Sequence, residues 1–239
     1  MRVVHADLHI HTCLSPCAER EMSPSTVARQ ARERGLDLIA ICDHNSAENT
    51  QAVSRAAEKA GLAVLPGIEI TSREEVHVLG LFGEDRRVAA MQEVVYDHLP
   101  GENDPDAFGE QLVMDEQDHV IGHNRRLLIG ATDLSLGEVV RAVHEFDGLA
   151  IASHVDRPSF SVFSQLGFIP EGLGLDAVEV GSGPVPALPQ SLLVIRSSDA
   201  HSPSQIGARH TRFLVESPTQ PEIRLALRQI GQRRILTGQ

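Results

Sequence analysis

At least five short apolar runs in this chain end at, or next to, a histidine or a carboxylate. Residues 3–10 run into His9 and His11, residues 36–42 stop at Asp43-His44, and residues 63–68 meet Glu69. Residues 149–153 end in His154, and residues 192–198 end in Asp199-Ala200-His201. Residues 175–180 contain Glu179 and lead into Gly181-Ser182-Gly183. Apolar runs of this length, bounded by turn residues, read as buried strands. Helical patterns lie between them. Ser23 and Pro24 open one over residues 24–34, which Gly35 stops, and a second covers about residues 49–60. Strands alternating with helices mean a parallel sheet. An open doubly wound sheet brings together only the strand ends near its switch point. A parallel barrel gathers all of them on one face, so polar residues at five or six strand ends predict a barrel.

The 239 residues suit one α/β barrel domain spanning 1–239. Residues 85–134 break the pattern. They carry many charges, the turn-like run Pro100-Gly101-Glu102-Asn103-Asp104-Pro105, and no strand as clear as the others. They are expected to form a helical insert or lid. The pattern resumes at Ser135, which forms a capping-box signature with Glu138. Residues 212–215 give a last strand and residues 221–230 a closing helix.

Lys and Arg number 21 against 33 Asp and Glu, a formal charge of −12. That balance argues against a broad basic surface for duplex nucleic acid or an anionic membrane. With seven Phe, one Tyr and no Trp, a base-stacking platform is disfavoured too. No apolar run approaches the length of a membrane span. Three cysteines, all within the first 42 residues, and no secretory pattern at the N-terminus give a cytoplasmic expectation. Nothing in the sequence fixes an oligomeric state.

The 12 histidines permit metal chemistry, and their positions argue for it. In Asp7-Leu8-His9-Ile10-His11, strand alternation puts Asp7, His9 and His11 on one face and Leu8 and Ile10 on the other. Two imidazoles about 7 Å apart along a strand can close on one ion. A lone His-x-His is weak evidence; joined to four further strand-end clusters it becomes a metal centre. Mixed imidazole and carboxylate donors suit Zn²⁺, Mn²⁺ or Fe²⁺. His9, His11, His44, Glu69, His77, His154, Asp199 and His201 are eight candidates, enough for two or three ions. His77 starts its strand rather than ending it, and a packed histidine is the other reading there.

Taken in order, Asp7-Leu8-His9-Ile10-His11-Thr12, Cys42-Asp43-His44-Asn45, Pro66-Gly67-Ile68-Glu69, Val76-His77-Val78-Leu79-Gly80, Ala152-Ser153-His154 and Ser198-Asp199-Ala200-His201 resemble the PHP (polymerase and histidinol phosphatase) family of metal-dependent phosphoesterases. The resemblance implies a distorted (βα)₇ TIM-like barrel with two or three divalent transition metal ions at the strand C-termini. By motif, His9, His11, Glu69 and Asp199 would hold one ion. Glu69 would bridge to a second held by His77 and His154, and His44 and His201 would hold a third. Many members continue the first motif into Ser-Asp-Gly, whose acid helps bind the third ion. Here the stretch reads Leu14-Ser15-Pro16-Cys17-Ala18-Glu19. Cys17 as thiolate ligand, Cys17 as a small buried hydrophobe, and Glu19 as substitute acid all remain open.

The expected chemistry is hydrolysis of a phosphate ester of a small molecule or nucleotide by a metal-activated hydroxide. Asp7 and Asp199 are candidate proton carriers. Arg157, three residues after His154, is the first candidate for gripping phosphate, followed by Arg125 and Arg126 in the insert. The alternatives are a 5′–3′ exonuclease on short oligonucleotides and a non-catalytic metal-binding module. The expected partner is a small phosphorylated substrate or nucleotide, with no membrane and no duplex nucleic acid.

Overall fold

Short capped helices return the chain repeatedly to one side of a sheet. The computed structural model describes residues 1–185, 187–189 and 192–236. In chain order these form β1 (Arg2–Ile10), α1 (Pro24–Glu33), β2 (Leu38–Ile41), α2 (Thr50–Glu58), β3 (Ala63–Thr71), β4 (His77–Leu81), α3 (Asp85–Asp97), α4 (Pro105–Phe108) and β5 (Leu112–Met114). There follow β6 (Val120–His123), α5 (Leu136–Glu145), β7 (Leu149–Ala152), α6 (Val162–Leu166), β8 (Ala177–Glu179), β9 (Val194–Ile195), β10 (Thr211–Val215), α7 (Gln220–Leu227) and β11 (Arg234–Ile235). The expected capping box opens α5, with Ser135 Oγ accepting the Glu138 N–H and the Glu138 carboxylate accepting the Ser135 N–H. Among the described residues no helix is long and apolar enough to cross a membrane.

The main sheet runs β11-β10-β1-β2-β3-β4-β7-β8-β9. Beyond β9 the chain bridges Ala200 to Ile10 in parallel, with the His11 N–H donating to the Ala200 carbonyl at 3.0 Å. Seven strands, β1 to β4 and β7 to β9, thus form a nearly closed ring, and β10 and β11 extend it from the first half of β1. This matches the expected seven-stranded, TIM-like α/β barrel.

Two features depart from a plain parallel barrel. β4 runs antiparallel to both neighbours, with Thr71 opposite His77 and Val78 opposite Ala152. Its first residue therefore stands at the C-terminal ends of the parallel strands. β3 changes partner midway, from β2 through Pro66 to β4 from Gly67. Pro66, with no N–H to give, sits at that handover, which is why a strand continues where proline and glycine suggest a stop. Gly67 is required there: a Cβ would lie 2.7 Å from the Ile41 carbonyl oxygen.

The barrel interior is an apolar plug that includes Leu8, Leu38, Leu65, Leu79, Ile151, Ala177 and Ile195. Two residues further along the inward faces, at strand period 2, Ile151 gives way to Ser153 and Ala177 to Glu179. In the same way Leu65 leads through Gly67 to Glu69, and Ile195 through Ser197 to Asp199. The plug thus floors a polar mouth.

The insert is only partly helical. After α3 and α4 the chain forms a two-stranded antiparallel sheet, β5-β6, in which Leu112 pairs with His123. Three- and four-residue strands with exposed Val120 and Ile121 are too short and too irregular to leave a periodic signal. The insert is stitched to the mouth: Asn45 Nδ2 donates to the Leu128 and Gly130 carbonyls at 2.9 and 2.8 Å, and the Thr132 N–H to the Thr71 carbonyl at 2.9 Å.

Candidate metal centre

The alternation expected for the first motif fails within β1. The β1–β2 register shifts between Asp7 and Ile10. Leu8 packs in the barrel interior, whereas Ile10 packs with α1 and α2. That irregularity turns His9 and His11 into the mouth together. Asp7 is left outside it: its two carboxylate oxygens accept the Ser198 and Gly207 N–H groups, each at 2.9 Å. Burial is the largest influence on this carboxyl, and pushes it up to about 6 against those bonds. Asp7 therefore fastens the loop carrying Asp199 and His201 and does not itself touch the cluster.

His9 and His11 are fully buried, with their Nε2 atoms 3.0 Å apart. Glu69 and Asp199 complete the group. His9 Nε2 stands 3.4 Å from Glu69 Oε1 and 3.4 Å from Asp199 Oδ1, and His11 Nε2 3.4 Å from Glu69 Oε2 and 3.3 Å from Asp199 Oδ1. Donors about 2.1 Å from a tetrahedral ion stand about 3.4 Å from one another.

The tautomers follow from the surroundings. Ser15 Oγ donates its one proton to Asp43 Oδ1 at 2.7 Å, so at 2.9 Å from that hydroxyl His11 Nδ1 must be the donor. His9 Nδ1 faces the Glu179 carboxylate at 3.1 and 3.2 Å and donates to it. Both Nε2 lone pairs are thereby free and aimed at one point.

Glu69, 1 % exposed, gathers three more histidines. Its Oε1 lies 3.1 Å from His77 Nδ1 and 3.3 Å from His154 Nε2, and its Oε2 3.0 Å from His44 Nδ1. Burial alone would raise the Glu69 carboxyl, but charge on His77, His9 and His44 holds it well below the usual range. Asp199 is held low in the same way, its burial outweighed by His9 and His11. His44 Nδ1 and Glu69 Oε2 are both buried and neither makes a hydrogen bond within the protein. Two donors so close that do not bond each other fit a shared cation between them. His201 stacks on His11 at 4.1 Å, and its Nδ1 donates to the Asp199 carbonyl at 2.9 Å. The residues thus fit metal ions in three overlapping groups: His9-His11-Asp199, His44-Glu69-His77 and His11-His44-His201. His44 belongs to two of them.

All eight candidate ligands converge. His77 does so because β4 runs backwards, and its ring is held by Phe160, stacked at 4.9 Å. His154 and Asp199 adopt φ of 27° and 54°, backbone strain that collects at functional sites. Of the two residues at the departure from the family motif, Cys17 is exposed, with its thiol against His201 and His44. Burial of the sulfur works against ionisation, but those two histidines draw it down to about 6. Glu19 is exposed and meets the site through its N–H, which donates to the His201 carbonyl at 2.8 Å. Arg157 reaches the cluster as an ion pair with Asp199. Arg125 and Arg126 have no contact with it among the described residues, and Arg126 lies over the Tyr96 ring at 4.0 Å.

Three supporting residues stand outside the expected set. Glu179 orients His9, Asp43 orients His11 through Ser15, and Ser153 Oγ donates to Glu69 Oε1 at 2.9 Å. The signal for Glu179 was an acid near the end of an apolar run; for Asp43 it was an acid beside a candidate ligand.

Comparison with known proteins points to the same family as the ordered motifs. The PHP domain model matches residues 7–160. A 5′-3′ exoribonuclease of Haemophilus influenzae is 30% identical over 78 residues, which is 31% of this chain and 27% of that protein. A phosphoribosyl 1,2-cyclic phosphate 1,2-diphosphodiesterase of Eggerthella lenta is 30% identical over 84 residues, 33% of this chain and 31% of that protein. The chain thus aligns with about a third or less of these relatives. Among solved structures, a lesion-specific endonuclease, endonuclease Q of Pyrococcus furiosus, superposes with a TM-score of 0.73 at 22% identity, over 98% of this chain and 58% of that one. Endonuclease Q with a 27-mer duplex carrying an abasic lesion at its active site superposes at 0.72 and 21% identity, with the same coverage. That complex overturns the expectation, drawn from net charge, that duplex nucleic acid is excluded. The same fold accommodates a duplex, and net charge does not describe the potential at one face. By its matched residues and their ordered motifs, the chain belongs to the PHP domain family.

Proposed function

We propose that the protein is a metal-dependent phosphoesterase acting on a phosphate ester or diester of a nucleotide or oligonucleotide. The observation that carries this reading is the buried convergence of six histidines with Glu69 and Asp199, including donor atoms that find no partner within the protein. The names of the relatives, an exoribonuclease, a cyclic phosphodiesterase and an endonuclease, support the substrate class.

Divalent cations in such a site bring the pKa of bound water towards ~7 and neutralise charge on the phosphoryl oxygens. The chain's own groups supply the rest. His9 and His11 are preset as Nε2 donors by Glu179 and by Ser15-Asp43, so no tautomer change is needed on binding. Glu69, kept ionised, would offer Oε1 on the side of His77 and His154 and Oε2 on the side of His44. Arg157, about half exposed at the rim, swings from Asp199 to grip a non-bridging phosphate oxygen pair. Asp199, released from Arg157, would keep Oδ1 with His9 and His11 and leave Oδ2 to accept a hydrogen bond from the attacking water. Asp7 holds the Asp199 loop in place.

The test uses chelator-stripped protein reloaded with Zn²⁺, Mn²⁺ or Fe²⁺. It is assayed against p-nitrophenyl phosphate, bis-p-nitrophenyl phosphate and 5′-labelled single- and double-stranded oligonucleotides. Hydrolysis that needs the reloaded ion and is lost in His9→Ala/His11→Ala is expected. Equal activity of stripped, reloaded and double-variant protein would overturn the reading.

A further inference from the structure

The connection between β7 and α6 carries two side chains of the metal centre and one that has no role in it so far. In His154-Val155-Asp156-Arg157-Pro158-Ser159-Phe160, His154 joins Glu69 and Arg157 pairs with Asp199. Phe160 lies against His77, with ring centres 4.9 Å apart and planes 22° from parallel. His77 is buried and belongs to the His44-Glu69-His77 group. Phe160 is 42 % exposed, and with one face on an imidazole that exposure belongs to the rest of its ring.

A single exposed phenylalanine is ordinary on a protein surface. Phe108 and Phe168 are exposed as well, but among the described residues neither stacks on a ring of the site. Phe160 is also fixed in place. Its carbonyl accepts the His77 N–H at 3.0 Å, Ser161 Oγ donates to the Arg157 carbonyl at 2.8 Å, and the Arg157 N–H donates to the His154 carbonyl at 2.9 Å. Asp156 Oδ1 accepts the Gly181 N–H at 2.7 Å. The backbone at Phe160 is strained, with φ of 55°, a left-handed conformation that a bulky residue keeps only where its surroundings impose it. The fold thus holds an aromatic face open at the mouth, one imidazole away from the cation group and three residues from the arginine that faces phosphate. Such a face suits a nucleobase, since every base has a π-face and stacking recognises it without reading sequence. The composition disfavours a platform of several aromatics, but one ring suffices for one base.

We propose that Phe160 is a specificity-determining residue of this site, its open face stacking on the base of the nucleotide whose phosphate occupies the metal centre. The inference rests on the phosphoesterase reading for the phosphate. Its own content is that a base is recognised there by stacking, whatever its identity, and that phosphate esters without a base bind less well.

The test sets paired ligands against paired variants. Zinc-loaded full-length protein is titrated calorimetrically with non-hydrolysable phosphonate analogues of adenosine monophosphate and of ribose 5-phosphate, which differ only in the base. Wild type is expected to bind the base-bearing analogue about 5- to 150-fold more tightly, the span for one base stacked on one aromatic ring. In Phe160→Ala the ratio is expected to fall close to one through weakening of the base-bearing analogue alone, with zinc content per chain unchanged. Phe160→Trp is expected to keep or raise the ratio. A wild type with a ratio near one, a wild type that binds neither analogue, or a Phe160→Ala variant that keeps the ratio would overturn the inference. So would a Phe160→Ala variant that weakens both analogues equally, since the ring would then only support His77. The phosphoesterase reading fails by a different result, namely reloaded wild type that hydrolyses no phosphoester whatever its binding ratio.

Discussion

Glu179 touches no cation position itself, yet replacing it should loosen the metal centre in two graded steps. Its carboxylate takes the His9 Nδ1 proton at 3.1 and 3.2 Å and the His154 N–H at 3.2 Å, at 1 % exposure. Glu179→Gln keeps the shape and one acceptor but removes the charge. A hydrogen bond to a charged partner is worth about 1.5–3 kcal/mol and a neutral one about 1, so about 1–1.5 kcal/mol is lost. At about 1.4 kcal/mol per tenfold, cation affinity should fall about tenfold. Glu179→Ala leaves two buried N–H groups unmet and frees the ring to rotate, which adds about 1–3 kcal/mol. The sum, about 2–4.5 kcal/mol, is about thirtyfold to a thousandfold, at or beyond the roughly hundredfold upper end of what outer-sphere partners of a ligating histidine contribute. The assay is competition for Zn²⁺ against a fluorescent chelator at fixed pH and ionic strength, with thermal unfolding of the stripped protein as control. Wild-type affinity in both variants, or a Gln variant weaker than the Ala variant, would refute the argument that Glu179 fixes the His9 tautomer.

Asp7, with its carboxyl near 6 in the fold and 3.8 unfolded, gives the folded state the greater proton uptake in between. The stripped protein should therefore lose up to about 3 kcal/mol as pH rises from ~4 to ~6. Denaturant midpoints across that window should show a limb that Asp7→Asn abolishes; an unchanged slope counts against burial as the cause. Arg157→Met should lower kcat/KM on a phosphodiester by roughly 10–100-fold, from the loss of a charge-assisted pair. Zinc stoichiometry should be unaltered, and a fall in metal content instead would place Arg157 among the groups that build the site. Ser135→Ala removes the α5 cap and should cost about 1 kcal/mol, a Tm shift of roughly 2–4 °C by calorimetry with activity unchanged.

The sequence was legible where one side chain decides the outcome. Ser135 and Glu138 announced a capping box, Pro24 and Gly35 bounded a helix, and the strand-end polar residues announced a barrel mouth. It was illegible where the decision is made by partners far along the chain. His77 looked misplaced because strand direction is not written locally; only the pairing of Val78 with Ala152 shows that β4 is reversed. The hairpin within the insert was missed because β5 and β6 are stabilised by contacts such as Asn49 Nδ2 to the Leu112 carbonyl and the Met114 N–H to Asn49 Oδ1, about 60 residues away. Glu179 escaped the ligand list because its partner, His9, lies 170 residues before it. The β1 irregularity escaped because alternation is the default expectation for any strand.

The same distinction between local and summed properties governs the charge argument. A total of −12 treats all 33 acids alike. Yet Asp7, Asp43, Glu69, Glu179 and Asp199 are buried at or beneath the mouth, where Glu69, Glu179 and Asp199 stand against imidazoles. Exposed acids further away than a Debye length of about 8 Å are largely screened at physiological salt. On one flank, a groove of about 500 Å³ between β9 and β10 is lined by Arg196, Arg209, His210 and Arg212. Arg209 Nη2 donates to the Ser198 carbonyl at 2.9 Å, one residue before Asp199. A polyanion meets the potential of the surface it touches, and on this flank that surface carries arginine. An acidic chain and a nucleic-acid substrate are therefore compatible on this fold, and the quantity that bears on the question is the sign of the rim rather than of the molecule.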